Sequence, residues 1–233
     1  MAAVFRVDAA ASTGGWVIQV DVLPSPQRVF WQEDLDTLPR GWVLYGGTAI
    51  ALHLGHRHSR DFDFFSSDPL DRDALRGGAR CLAEAKTLQD EPDTLTVVAE
   101  KAGEPIKLSF FGGIGFGRVG EPVRIRGIAR IASRLDLLGT KLATVTQRIE
   151  PRDYIDIAAL LASGLTINEG VAALRALYEN QASGLQSVKT IAWFKDGNLE
   201  ALLSAEVRNL LTRAAASYDP STPPAIKRSS RLD

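Results

Sequence analysis

Residues 44–66 read LYGGTAIALHLGHRHSRDFDFFS, and the reading of this stretch decides the fold. An apolar run, WVLY, ends in Gly46 and Gly47, and Thr48 then opens a helical pattern over residues 48–56. A strand, a glycine pair and a helix N-terminus make an anion-binding device, because unbonded backbone amides and the helix dipole point at one spot. Thr48 can cap the helix or give its hydroxyl to a phosphate. DFDFF at 61–65 reads as the next strand. Positions i and i+2 of a strand face one side, so Asp61 and Asp63 project together while Phe62 and Phe64 point into a core. Two carboxylates on one face repel unless a cation lies between them. Mg²⁺ is the usual partner, held by one or two carboxylates plus substrate phosphates. A phosphate cradle beside a carboxylate pair is what nucleotidyl transfer needs.

Working outward, the chain before residue 130 carries short β-rich runs punctuated by glycine: TLTVVAE, IKLSFFGG and VRIRGI beside the two above. A second helical pattern spans about residues 71–84. After residue 130 the pattern is helical. Leu135, Leu138, Leu142 and Val145 recur at helical spacing. Pro151 suits the first turn of a new helix, and Gly164 stops it. Residues 171–178 and 199–216 predict two more helices. The class is therefore α+β: an α/β unit over residues 1–130, a helical domain over 131–218, and a Pro/Ser-rich tail over 219–233 expected to be mobile.

Composition narrows the classes. The 233 residues are 45% apolar and 24% charged, an ordinary globular balance, with a formal charge of −1 that advertises no nucleic acid. The charge is uneven: residues 61–100 hold ten acids and four bases, and residues 101–152 hold ten bases and four acids. Two solvated faces explain this in the ordinary reading; a metal site facing a phosphate-binding surface is the functional one. The lone Cys81 excludes a disulfide framework and suits a reducing cytoplasm. No apolar run reaches the roughly 18 residues of a membrane span, and the first fifteen residues lack the apolar region of a signal peptide.

A second constellation, KLATVTQRIEPRDYIDI at 141–157, puts Lys141 and Arg148 on one helix face and Asp153 and Asp156 on one face of the next. Lys141 is a candidate triphosphate contact. For Arg152, Asp153 and Asp156, an internal salt-bridge network tying the helices is an equal alternative.

GGTAIALHLGHRHSRDFDFF followed by TKLATVTQRIEPRDYIDIAALL resembles the AbiEii/AbiGii toxin family of nucleotidyltransferases, within the DNA polymerase β-like superfamily, over about residues 40–165. The resemblance implies a polymerase-β-like core followed by a helical domain. It implies that Gly46, Gly47 and Thr48 hold the phosphates of an NTP. It assigns Asp61 and Asp63 to Mg²⁺ or Mn²⁺ and Lys141 to the nucleotide. Asp153, with Asp156 second, takes a catalytic or positioning role. Studied members are toxins paired with a protein antitoxin, and some transfer nucleotides to the 3′ end of tRNA; others are phage-defence modules. The expected partners are thus an NTP, an RNA acceptor such as tRNA, and an antitoxin, with no membrane and a cytoplasmic location.

The superfamily places a third acid on a later strand. On PIKLSFFGG, at 105–113, that position holds Ser109, sharing a face with Lys107 and Phe111. A hydroxyl does not replace a carboxylate as a metal ligand. Asp153 can complete the site, the site can work with two carboxylates, or the protein is a catalytically weak nucleotide-binding and protein-interaction module. The remaining features read as structural. His53, His56 and His58 suit surface or helix-end roles, and Cys81 a small buried apolar residue. FGGIGFGRVG suits a flexible loop near the site entrance, and Trp193 and Phe194 suit packing between C-terminal helices.

Overall fold

The computed structural model describes residues 18–125 and 129–233; the N-terminal stretch read above for a leader, and the end of VRIRGI, lie outside them. The chain divides into two compact units. A sheet unit comprises Met1–Gly117, Glu121–Ala132 and Ser230–Asp233; a helical unit comprises Arg118–Gly120 and Ser133–Ser229. The α+β class read from the sequence is the observed one.

In the sheet unit, α1 (Ser25–Glu33) precedes β1 (Val43–Tyr45), α2 (Gly46–Leu54), β2 (Asp61–Phe65) and α3 (Arg72–Gly78). There follow β3 (Lys86–Glu91), β4 (Thr94–Lys101), β5 (Glu104–Phe111), β6 (Val123–Ile125) and β7 (Ala129–Ile131). Among the described residues these seven strands form one mixed sheet in the order β3-β4-β5-β2-β1-β7-β6. β2 lies at its centre, antiparallel to β1 and parallel to β5. The strand alternation holds on β2: Phe62 and Phe64 are buried, Asp61 is exposed and Asp63 half-buried. Phe30 of α1 covers the two phenylalanines at ring distances of 4.8 and 6.4 Å, and Phe64 stacks on Phe110 at 5.4 Å. One face of the sheet is thus sealed by aromatic packing and α1, which leaves the opposite face to carry polar side chains.

Several expectations change. Residues 71–84 hold a shorter α3 and then a 3-10 turn, Arg80–Leu82, with Cys81 buried in it. α1, β3 and β7 were not visible in the pattern. The glycine-rich run is pinned rather than hanging loose: the Gly112, Gly113 and Ile114 amides donate to the carbonyls of Asp93, Asp68 and Ser66. The tail also ends in contacts. Leu232 is buried, its amide donates to Ser67 Oγ at 3.0 Å, and Arg231 grips Asp68 through two hydrogen bonds of 3.0 and 2.9 Å.

The helical unit holds α4 (Arg134–Thr144), α5 (Pro151–Ala162), α6 (Ile167–Tyr178), α7 (Gly184–Ile191), α8 (Leu199–Leu202) and α9 (Ala205–Ala216). Pro151 opens α5 as expected. The helix predicted over 199–216 is split, because Ser204 caps a new start at α9. α4 and α6 approach closely through glycines. A Cβ on Gly170 would stand 2.7 Å from Leu138 Cδ2, and one on Gly139 would stand 3.1 Å from Ala173 Cβ. Phe194 packs near Tyr154 with ring centroids 6.3 Å apart, but Trp193, expected to pack, is 55% exposed. Among the described residues no single helix is long and apolar enough to cross a membrane.

Candidate active site

α2 begins at Gly46, directly after β1, so both glycines lie in its first turn rather than in a separate turn. Gly46 has φ +70°, a left-handed conformation that costs side-chain-bearing residues energy. It also lies against Asp63: a Cβ there would stand 2.6 Å from the Asp63 Oδ2. The carboxylate therefore reaches the start of α2, where the first backbone amides have no partner within the helix.

The strand register sets the rest of this face. Asp63 is paired with Tyr45 on β1 and with Ser109 on β5, Asp61 with Lys107, and Ser109 with Thr96 on β4. Residues paired across neighbouring strands share a face, so Asp61, Asp63, Lys107, Ser109 and Thr96 lie on one surface. Asp61 and Lys107 are exposed, whereas Ser109 and Thr96 are buried. Farther along the same face Tyr45 stacks on Phe65 at 4.8 Å, and Phe116 from the glycine-rich run meets both rings edge-on at 6.0 and 6.1 Å. Lys107 was placed on this face by alternation, but only the register of β5 against β2 sets it across from Asp61.

Thr48 does not cap α2. Tyr45 is the N-cap residue, and no side chain caps the helix. Thr48 is buried; its hydroxyl donates to the Asp61 carbonyl and lies 2.7 Å from Ser59 Oγ. It ties the start of α2 to β2 instead of pointing at solvent. Ser59 as its partner had no signature in the sequence. The histidines form no metal group: His53 Nε2 meets the Ala132 carbonyl and His58 Nδ1 the Val22 carbonyl, each at 2.9 Å.

Lys141, Asp153 and Asp156 come together within the helical unit. The Lys141 ammonium sits 2.6 Å from Asp153 Oδ1 and 2.8 Å from Asp156 Oδ2, and Arg148 Nε is 2.8 Å from Asp153 Oδ2. Both carboxylates are fully buried, and Lys141 nearly so. Burial alone would push the Asp153 carboxyl up. The Arg148 hydrogen bond and the charge and hydrogen bond of Lys141 outweigh it and hold the group below the usual carboxylate range. This is the network that ties α4 to α5. Arg152 is not part of it and pairs with Glu150 at 3.3 Å.

Among the described residues, no group of three metal-ligating side chains is present. A two-carboxylate set still suits Mg²⁺, which keeps several waters and completes its shell with substrate phosphates. The Asp61–Asp63 face, open beside the start of α2, provides such a set.

Known proteins resemble this chain in sequence and in fold. The uncharacterized protein aq_aa25 of Aquifex aeolicus (strain VF5) is 28% identical over 163 residues, 68% of this chain and 76% of that one. The structure of JHP933 from Helicobacter pylori aligns with a TM-score of 0.54 at 18% identity, over 82% of this chain and 89% of that one. MenT4, the nucleotidyltransferase toxin Rv2826c from Mycobacterium tuberculosis H37Rv, aligns with a TM-score of 0.50 at 13% identity, over 82% and 80% of the two chains. The sequence model of the nucleotidyl transferase AbiEii toxins of type IV toxin–antitoxin systems matches residues 30–228, so the chain belongs to that family and is a nucleotidyltransferase.

Proposed function

We propose that the protein moves a nucleoside monophosphate from an NTP to a hydroxyl of an RNA acceptor such as tRNA, in the cytoplasm, as the toxin of a pair with a protein antitoxin. The observation that carries this reading is the contact of Asp63 with Gly46, which puts a carboxylate beside the amide-bearing start of α2. Asp61 and Asp63 would hold Mg²⁺ or Mn²⁺, which supplies neutralising charge to the phosphates when bound. The Gly46 and Gly47 amides and the dipole of α2 hold phosphate oxygens. Thr48 keeps that helix start fixed to β2, and Lys107 draws the triphosphate to the face. To Lys141 and Asp153 we assign the nucleotide-contacting and positioning roles that the resemblance implies. The acceptor hydroxyl attacks the α-phosphorus, and pyrophosphate leaves.

The test is transfer from α-labelled NTPs to total RNA and to total protein with Mg²⁺ or Mn²⁺, comparing wild type with Asp61→Asn. Label in RNA that disappears in the variant is expected. Label that persists in the variant, or that enters protein alone, overturns the assignment.

A second reading is favoured by Ser109, which is buried opposite Asp63 where a third acid would complete the ligand set. In that reading the protein binds nucleotide and acts through a partner with little catalysis. Intact nucleotide binding with no label in either fraction would select it.

A further inference from the structure

The helical unit contains a cleft of about 950 Å³ that the proposed chemistry does not use. Trp193, Ile149, Arg148, Lys189, Gln147 and Gln186 are among its lining residues. This is at the upper end of ligand-sized sites, roughly 300–1,000 Å³. Its lining combines apolar, cationic and amide groups with one carboxylate, Asp196. The Trp193 indole is 55% exposed and the Ile149 side chain beside the cleft is 52% exposed, unusual for such large apolar groups. The indole is oriented, because its Nε1 donates to Asp196 Oδ2 at 3.1 Å. Lys189 is exposed, and Arg148 is anchored through Asp153 while 60% of its side chain stays exposed. Gln147 and Gln186 are exposed amides that both donate and accept.

A planar ring that is held in place, flanked by cations and by neutral amides, matches a base attached to a phosphodiester. The base stacks on the indole, the phosphate meets Lys189 and Arg148, and the amides meet base edges. The exposed Lys189 and the exposed part of the Arg148 guanidinium, which Asp153 holds in place, give the rim positive charge that suits a phosphodiester, so the lining favours nucleic acid over an apolar protein segment. We propose that this cleft seats a single-stranded segment of the acceptor RNA, with Trp193 as the stacking platform. The inference rests on the reading that the acceptor is RNA.

The experiment measures the affinity of the full-length protein for a fluorescent ten-nucleotide single-stranded RNA, by anisotropy at several salt concentrations. Wild type is compared with Trp193→Ala and Lys189→Ala; both side chains are exposed, and thermal midpoints check that the variants fold. Trp193→Ala should weaken binding at least ~5-fold, the lower end for loss of one base–aromatic stack. Lys189→Ala should weaken binding and lower the slope of log K against log salt by about 0.7, one phosphate on a single strand. Wild type that does not bind the RNA, or unchanged affinity in both variants, overturns the assignment whether or not label reaches RNA in the transfer assay. Unchanged RNA affinity with loss of a co-purifying protein from Trp193→Ala overturns it in favour of a protein interface. Affinity lost in both variants, with label entering protein alone, supports the cleft and rejects the RNA-acceptor reading.

Discussion

Gly46 and Asp63 share a space that admits no methyl group: a Cβ on Gly46 would stand 2.6 Å from the Asp63 Oδ2. The glycine at the start of α2 and the second acid of DFDFF, seventeen positions later, are one structural unit. Gly46→Ala therefore carries two penalties. The φ of +70° costs about 1–2 kcal/mol with a side chain, and the methyl displaces the carboxylate. A shift of about 1 Å in a reacting group costs on the order of 10²-fold in rate. Transfer by Gly46→Ala should fall by that order while the protein still unfolds cooperatively. Activity within about twofold of wild type would separate this contact from the chemistry.

Asp61 is exposed on the same face, so its loss should act on ion binding rather than on folding. Without added metal, Asp61→Asn should unfold within about 0.5 kcal/mol of wild type. The rise in thermal midpoint that Mg²⁺ with a non-hydrolysable NTP gives the wild type should be absent in the variant. A ligand-induced shift of equal size in both proteins would remove Asp61 from the metal site.

Lys141 bears on stability as well as on activity. Lys141→Met leaves Asp153 and Asp156 facing each other inside the helical unit without their shared ammonium. Breaking a buried pair from one side costs about 3–5 kcal/mol, and urea unfolding should show a loss of that size. Any drop in transfer by this variant has to be read at a urea-free temperature where it is folded.

Asp153 predicts a direction with pH. Its folded-state carboxyl is held below the usual range, despite burial, by Arg148 and Lys141. A group depressed on folding contributes stability that is present above the unfolded value of about 3.9 and is lost as pH falls through the folded value. The stability difference between wild type and Asp153→Asn should therefore be constant near neutrality and shrink below about pH 5. Urea midpoints of both proteins between pH 7 and pH 3 measure it; a difference that grows on acidification contradicts the ion-pair assignment.

Two glycine-to-alanine changes should have opposite signs. At Gly170 the methyl would meet Leu138 Cδ2 at 2.7 Å and Leu142 Cδ1 at 2.9 Å. Overpacking of about 1–3 kcal/mol there exceeds the helix-propensity gain of about 1 kcal/mol, so the variant should be less stable. At Gly77 in α3 nothing lies within 4 Å of the added Cβ, so only the propensity gain remains and the variant should be more stable. Thermal midpoints of the two variants decide the matter.

Local pattern by itself determined the parts of this protein that depend on neighbouring residues. The alternation of DFDFF put both acids on one face, the glycines before AIALHL announced a helix start after a strand, and Pro151 and Gly164 bounded α5. The resemblance these motifs carry named the family whose sequence model matches residues 30–228. Other features depend on residues far apart in the chain, for which a single sequence carries no local signal. Only the tertiary structure decided that Ser109 and Lys107 stand across from Asp63 and Asp61, because register is set by how strands pair. Only it showed that the Thr48 hydroxyl turns inward to β2, since a helix-start hydroxyl serves as a cap or as a buried tie depending on what packs over it. The pairing of Lys141 with both Asp153 and Asp156, the anchoring of Leu232 and the exposed Trp193 cleft likewise arise from packing between elements. Burial, which determines whether a charge is neutralised or an indole left open, is a property of the assembled unit.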